Sequence, residues 1–172
     1  MTSLHQPAPP AAILAGADSL VAAAIASRLR SSGWGVQRGT GTAVVPKEPI
    51  SGLVYEPGLL DSADGVRPGQ IVDQLFELVE SVRPRLRTSS GGGARIVVVS
   101  SRDGLGWADR PQAAAASGAL VAAARSLALQ TAPAGVTVNV VAALPAEVAT
   151  PRSTTAPSEL TPDAVTAEDI AR

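Results

Sequence analysis

The stretch Ala94–Leu144, ARIVVVSSRDGLGWADRPQAAAASGALVAAARSLALQTAPAGVTVNVVAAL, decides how the chain is read. Arg95 to Val99 ends in an unbroken β-branched run, as expected of a central strand buried on both faces. Gln112 to Gln130 is rich in alanine with Leu120, Val121, Leu127 and Leu129, and it predicts the longest helix. Val136 to Ala143 predicts a second buried strand. Strand, long helix and strand in that order imply a parallel pair with a helical crossover.

Composition bounds the rest. The 172 residues make one domain the simplest expectation, long enough for a hydrophobic core. A net charge of −1 gives no electrostatic reason to expect nucleic acid or an anionic membrane as partner. No cysteine is present, which excludes disulfides and thiolate metal sites and fits a cytoplasmic location. No apolar run is expected to span a bilayer. With aromatics at 2%, the core must be built from Val, Leu, Ile and Ala.

Residues 1–10 carry three prolines and no periodicity, so they read as a flexible tail preceding a domain over 11–172. The single histidine, His5, lies in that tail, so neither a Ser-His-Asp triad nor a histidine metal site is expected. Ala11 to Ala15 is a short apolar strand. It leads through Gly16-Ala17-Asp18-Ser19 into a helix from about Leu20 to Arg30. That is the strand, turn and helix of a dinucleotide-binding opening. Ser31-Ser32-Gly33 stops the helix, and Gly35 to Arg38 predicts the next strand. Arg38 is read as a solvated strand-end arginine. About a dozen residues, Gly39 to Pro49 with Thr42 to Val45 as a short strand, precede the strand Ile50 to Tyr55.

Gly69 to Arg83 has apolar residues at Ile71, Val72, Leu75, Phe76, Leu78, Val79 and Val82, the spacing of an amphipathic helix. Arg83, Arg85 and Arg87 complement its C-terminus. Thr88 to Gly93 is a Ser/Gly linker, because its glycines follow a helix and precede a strand, the wrong order for a phosphate loop. Pro151 to Pro162 is rich in Ser, Thr and Pro. Thr166 is placed to cap a helix running to Arg172.

Ser100-Ser101, Arg125-Ser126-Leu127-Ala128 and Val138-Asn139 together resemble the centre of the short-chain dehydrogenase/reductase family, in particular its 3-oxoacyl-[acyl-carrier-protein] reductases and other ketoreductases. The resemblance implies a Rossmann-like α/β three-layer sandwich with a mostly parallel sheet and right-handed crossovers, shortened relative to the family. It also shows what is missing. Twelve residues before Arg125 the family's catalytic tyrosine falls on Ala113, and its lysine falls on Ser117. Ser101, followed by Gly104, matches the catalytic serine and is read as a relic. A new acid at Asp103 or Asp109 is not assumed. The family's Thr-Gly-x-x-x-Gly-x-Gly turn retains Gly16, but its later glycines fall on Leu20 and Ala22. The Asn-Asn-Ala-Gly loop becomes Tyr55-Glu56-Pro57-Gly58, with only Gly58 kept and Glu56 read as a solvated loop residue. The family's catalytic-site asparagine falls at about Ile71, and the adenine-pocket helix and strand have no room in Gly39 to Pro49. Leu144-Pro145 lacks the family's glycine, although Thr150 stands near its cofactor-contacting threonine. Relatives continue past Arg172 with a helix and a last strand, so the domain is either naturally shortened or part of a longer chain.

No catalytic residue, bound NAD(P) or metal is therefore expected of this chain, with Gly16 and Gly58 as remnants of the cofactor site. The two helices that relatives use between subunits are retained. The expected interface comprises Leu75, Phe76, Val79, Ala116, Leu120, Ala123, Ala124 and Leu127. Alternatively, the alanines reflect helix propensity and a flat fit to the sheet. The leading functional expectation is a non-catalytic subunit, in a heterodimer or heterotetramer with an active NAD(P)-dependent short-chain reductase, or else a homodimer. The alternatives are an oxidoreductase with atypical catalytic residues acting on a ketoacyl or polyketide-type carbonyl, and a standalone small-molecule binding module.

Overall fold

The structure, a computed structural model, describes residues 9–40, 48–60, 67–106 and 110–143. The expectations for His5, Thr42–Val45, Asp109, Leu144-Pro145, Thr150, Pro151–Pro162 and Thr166–Arg172 lie outside them.

Five strands form one sheet, all parallel: β1 (Ala11–Gly16), β2 (Gly35–Thr40), β3 (Gly52–Glu56), β4 (Ala94–Ser101) and β5 (Val136–Ala143), in the order β2-β1-β3-β4-β5. The sheet order reverses direction at β1, which has β2 on one side and β3 on the other. Ligands of open α/β sheets lie at such a switch point, outside the strands' C-terminal ends.

Helix α1 (Leu20–Ser31) covers one face, with Val21, Ala22, Ile25 and Ala26 packed on Leu14, Val54 and Val99. Helices α2 (Pro68–Val82) and α3 (Pro111–Thr131) cover the other, on a core of Ile13, Leu53, Tyr55, Ile96 and Val98. Proline at the start of both α2 and α3 supplies a preset helical φ where no intrahelical N–H bond is lost. The elements predicted within the described residues are all present, with boundaries shifted by no more than two residues.

Three expectations need correction. First, Leu75, Val79, Ala116, Leu120, Ala123, Ala124 and Leu127 are buried in the core of their own chain, and Phe76 packs against it. A helix lying on a sheet buries its most apolar stripe there, so these side chains are not a surface offered to a second subunit. The outward stripe of α3 is Ala115, Gly118, Ala122, Arg125, Ser126 and Leu129, the last 80% exposed. The outward stripe of α2 is acidic, with Asp73, Glu77 and Glu80.

Second, Glu56 is the last residue of β3 and is fully buried, not a solvated loop residue. Third, the helical stretch Pro111–Ala134 is long and apolar enough, by length and composition alone, to cross a membrane. Its apolar residues have a nearer use, since one side of α3 fills the core.

Candidate functional site

At the C-terminal end of β1 the chain turns sharply. Gly16 has φ +118°, and a Cβ there would collide with the backbone carbonyl of Glu56. Only glycine permits that approach. The Ala17 N–H donates to the Glu56 carbonyl at 2.7 Å. Ser19 caps α1, its Oγ accepting from the Ala22 N–H at 2.9 Å. The same hydroxyl donates to Glu56 Oε2, and the Gly58 N–H donates to Oε1 at 2.8 Å. The two remnants, Gly16 and Gly58, therefore bracket a buried carboxylate beside the N-terminus of α1.

A helix N-terminus attracts anions through its free N–H groups and dipole. In this chain that attraction is already met by Glu56. The residues do not fit a dinucleotide. Leu20, at the first position of α1, stands 74% exposed at the mouth of the turn, where the family's glycine leaves bare backbone. Asp18 adds a second carboxylate in the turn, paired with Arg38 at 2.9 Å, and both side chains reach solvent. A pyrophosphate would meet two carboxylates and an apolar side chain. Arg38 is thus the partner of Asp18, at the solvated strand end where the sequence placed it.

Tyr55 lies one residue earlier and points to the opposite face. Its hydroxyl donates to the Ile71 carbonyl at 3.1 Å and approaches Gln74 Oε1 at 3.2 Å. Burial pushes its phenol pKa upward, and the neighbouring Glu56 carboxylate adds in the same direction.

The second half of the site lies at the end of β4. Ser101 is buried and its Oγ donates to Asp103 Oδ2 at 2.7 Å, while the Asp103 N–H donates back to that Oγ at 3.2 Å. Asp103, only 2% exposed, pairs with Arg110 at 3.3 Å. Arg110 also reaches the Leu59 carbonyl at 3.5 Å, a long contact. The four residues tie the end of β4, the 3₁₀ turn Arg102–Leu105, the start of α3 and the loop after β3. Ser101, the residue matched to the family's catalytic serine, is committed to this clasp.

Ala113 and Ser117 occupy consecutive turns of α3 on its buried side. Neither can donate a proton to a substrate oxygen as an acid of useful strength or lower a neighbour's pKa by charge. Gly104 allows the turn to settle on α3, because a Cβ there would stand 3.2 Å from Ser117 Cβ. The Ser100 and Ser117 hydroxyls are buried without a hydrogen-bond partner. Among the described residues no group of His, Asp or Glu side chains could hold a metal ion.

Sequence reading missed two elements, the Ser19–Glu56 pair and the Asp103–Arg110 pair. The first had a signal: a serine immediately before an apolar helical run is a cap, and Glu56 directly follows a buried strand. The second had none, since Arg110 meets Asp103 only through the turn's geometry.

Comparison with known proteins agrees with the fold. The protein lin1944 from Listeria innocua superposes with a TM-score of 0.63 at 17% identity, covering 94% of this chain and 90% of that one. The enoyl-[acyl-carrier-protein] reductase (NADH) of Aquifex aeolicus VF5 superposes with a TM-score of 0.63 at 17% identity, over 94% of this chain and 85% of that one. A 3-ketoacyl-(acyl-carrier-protein) reductase from Brucella melitensis, complexed with NADH, gives 0.61 at 18% identity over 80% and 76%. At such identities these likenesses establish the architecture alone. No curated protein sequence matches the chain. The family model described as Enoyl-(Acyl carrier protein) reductase matches residues 72–170, more than half of the chain. This chain, with its parallel sheet, Ser101 turn and long α3, belongs to that family of short-chain dehydrogenase/reductases.

Proposed function

We propose that this chain is a non-catalytic subunit that associates with an active NAD(P)-dependent short-chain reductase in the cytosol, supporting that partner's folding or activity. The observation that carries the reading is the pair Ala113 and Ser117. The positions matched to the family's tyrosine and lysine hold a methyl group and a neutral hydroxyl, on an otherwise intact α3. The Glu56 lock and the exposed Leu20 support it from the cofactor side. The surface available to a partner is the outward stripe of α3, Ala115, Gly118, Ala122 and Leu129, whose small residues permit close helix approach.

The test is purification of the tagged chain from its native host with native mass measurement. The expected result is a stoichiometric companion carrying an intact Gly-rich turn and Tyr-x-x-x-Lys, separated from this chain by Ala122→Arg. Recovery of the chain alone would sink the proposal.

A second reading is an oxidoreductase with atypical catalytic residues acting on a ketoacyl or polyketide-type carbonyl, in which Asp103 positions the Ser101 hydroxyl. It rests on the 2.7 Å contact of Asp103 with Ser101. It requires NAD(P)H to bind, and fluorescence titration of the purified chain with NADPH and NADH separates the two readings.

A further inference from the structure

A cleft of about 380 Å³ opens between the 3₁₀ turn after β4, one flank of α3 and the end of β5. Its volume lies in the range of small-molecule pockets. Leu105, Val121 and Ala142 give it apolar walls, and Gly104 and Gly118 leave space that side chains would fill. Leu105 is 79% exposed at the rim, so its side chain is accessible to an apolar ligand. The polar groups differ in kind. The Ser101 hydroxyl is spent on Asp103. The Ser117 hydroxyl is 1% exposed and has no partner, although it lines the cleft. A buried hydroxyl without a partner is costly to the chain and becomes useful when a ligand completes it.

We infer that this cleft binds an apolar small molecule carrying one hydrogen-bonding oxygen, which Ser117 engages, without cofactor and without chemical change to the ligand. The apolar body of the ligand lies against Leu105, Val121 and Ala142. The site is reached from the flank of α3 that faces β5 and shares Gly118 with the outward stripe, so it is tested on the chain without a companion. Arg102 at the rim is the only charged residue lining it among the described residues, and it reaches solvent.

The experiment is a titration of the purified chain with 1-octanol, followed by NMR, with no nucleotide present. Saturable binding is expected, with a Kd of about 0.1–1 mM for so small a ligand. Ser117→Ala should weaken it about fivefold, the loss of one neutral hydrogen bond. Gly118→Leu should abolish it while keeping the fold, because no atom lies within 4 Å of a Cβ added there and leucine is the better helix former. Val121→Trp is a second blocking variant. Each variant is checked by its thermal unfolding. Absence of saturable binding, or binding that survives both blocking variants, overturns the site. Binding by Ser117→Ala as tight as that of the parent chain overturns the role of the hydroxyl, and with it the inference.

Discussion

The two halves of the sheet treat their buried polar groups in opposite ways. In the half built from β1, α1, β2 and β3, the turn after β1 is welded shut: Glu56 takes up the Ser19 hydroxyl and the Gly58 amide, and Gly16 lets the backbone close on its carbonyl. In the half built from β4, α3 and β5, the space beside the strand ends is open. Ser101 is tied to Asp103, but the Ser100 and Ser117 hydroxyls have no partner, and a cleft remains beside Ser117. The closed half has these buried polar groups paired, whereas the open half carries two hydroxyls without partners.

The comparison breaks most visibly at Glu56. Replacing it by alanine leaves a cavity, a buried serine hydroxyl and an unpaired amide together, so Glu56→Ala should cost about 3 kcal/mol. Glu56→Gln keeps the shape and can still accept from Gly58, so it should cost about 1 kcal/mol. Urea unfolding with an unchanged m-value would measure both. A loss for Glu56→Ala no larger than that for Glu56→Gln would contradict the lock.

At Asp103 the amide replacement should cost about as much as Glu56→Gln and less than Glu56→Ala. Arg110 is partly solvated and can turn to water, and Ser101 keeps a short-range neighbour in the Asp103 backbone amide. Asp103→Asn is expected to cost about 1 kcal/mol, with the larger share from weakening a charge-assisted bond. If Asp103→Asn proves as damaging as Glu56→Ala, the clasp rather than the weld anchors the site.

These contrasts also explain what sequence could and could not reveal. The parallel sheet, the amphipathic α2 and the long α3 follow from period and composition, because burial of one face writes itself into the pattern. The matching of Ala113 and Ser117 to the family's tyrosine and lysine rests on counting along one helix, back from Arg125. Which way a helix faces is a finer matter. Ala116, Leu120, Ala123 and Leu127 could serve a sheet or a second subunit equally well, and in a helix with apolar residues on both sides no count separates the two. Glu56 was misread for a related reason. Its partners Ser19 and Gly58 lie on different segments, and only the closure at Gly16 brings them round its carboxylate.

Between the two halves sits Tyr55, the only tyrosine, whose raised pKa links pH to stability. Its ordinary pKa is about 10 in the unfolded chain. With the folded value higher, its contribution is fully present below about pH 10 and is lost as pH rises beyond that. Alkaline unfolding should therefore start above about pH 10, and phenolate absorbance should appear together with loss of structure rather than before it. Tyr55→Phe should remove that pH dependence at a cost of about 1 kcal/mol at neutral pH, from the lost bond to Ile71. Phenolate appearing in the folded protein at its ordinary pH would show that the ring is not held as described.

The smallest effect is expected at Ser117, and it sharpens the comparison most. A hydroxyl with partners, such as that of Ser19, should cost about 1–2 kcal/mol when replaced by alanine, as helix caps do. The Ser117 hydroxyl has none, so its removal takes away a buried polar group that nothing satisfies. Ser117→Ala should be neutral within about 0.5 kcal/mol or stabilising by up to about 1 kcal/mol, helped by the higher helix propensity of alanine. The pair of serines then reads the contrast directly: one held in a lock, the other without a partner beside an open cleft. Equal losses at Ser19 and Ser117 would mean that both halves were closed in the same way, and that the open cleft contributes as a packed region does.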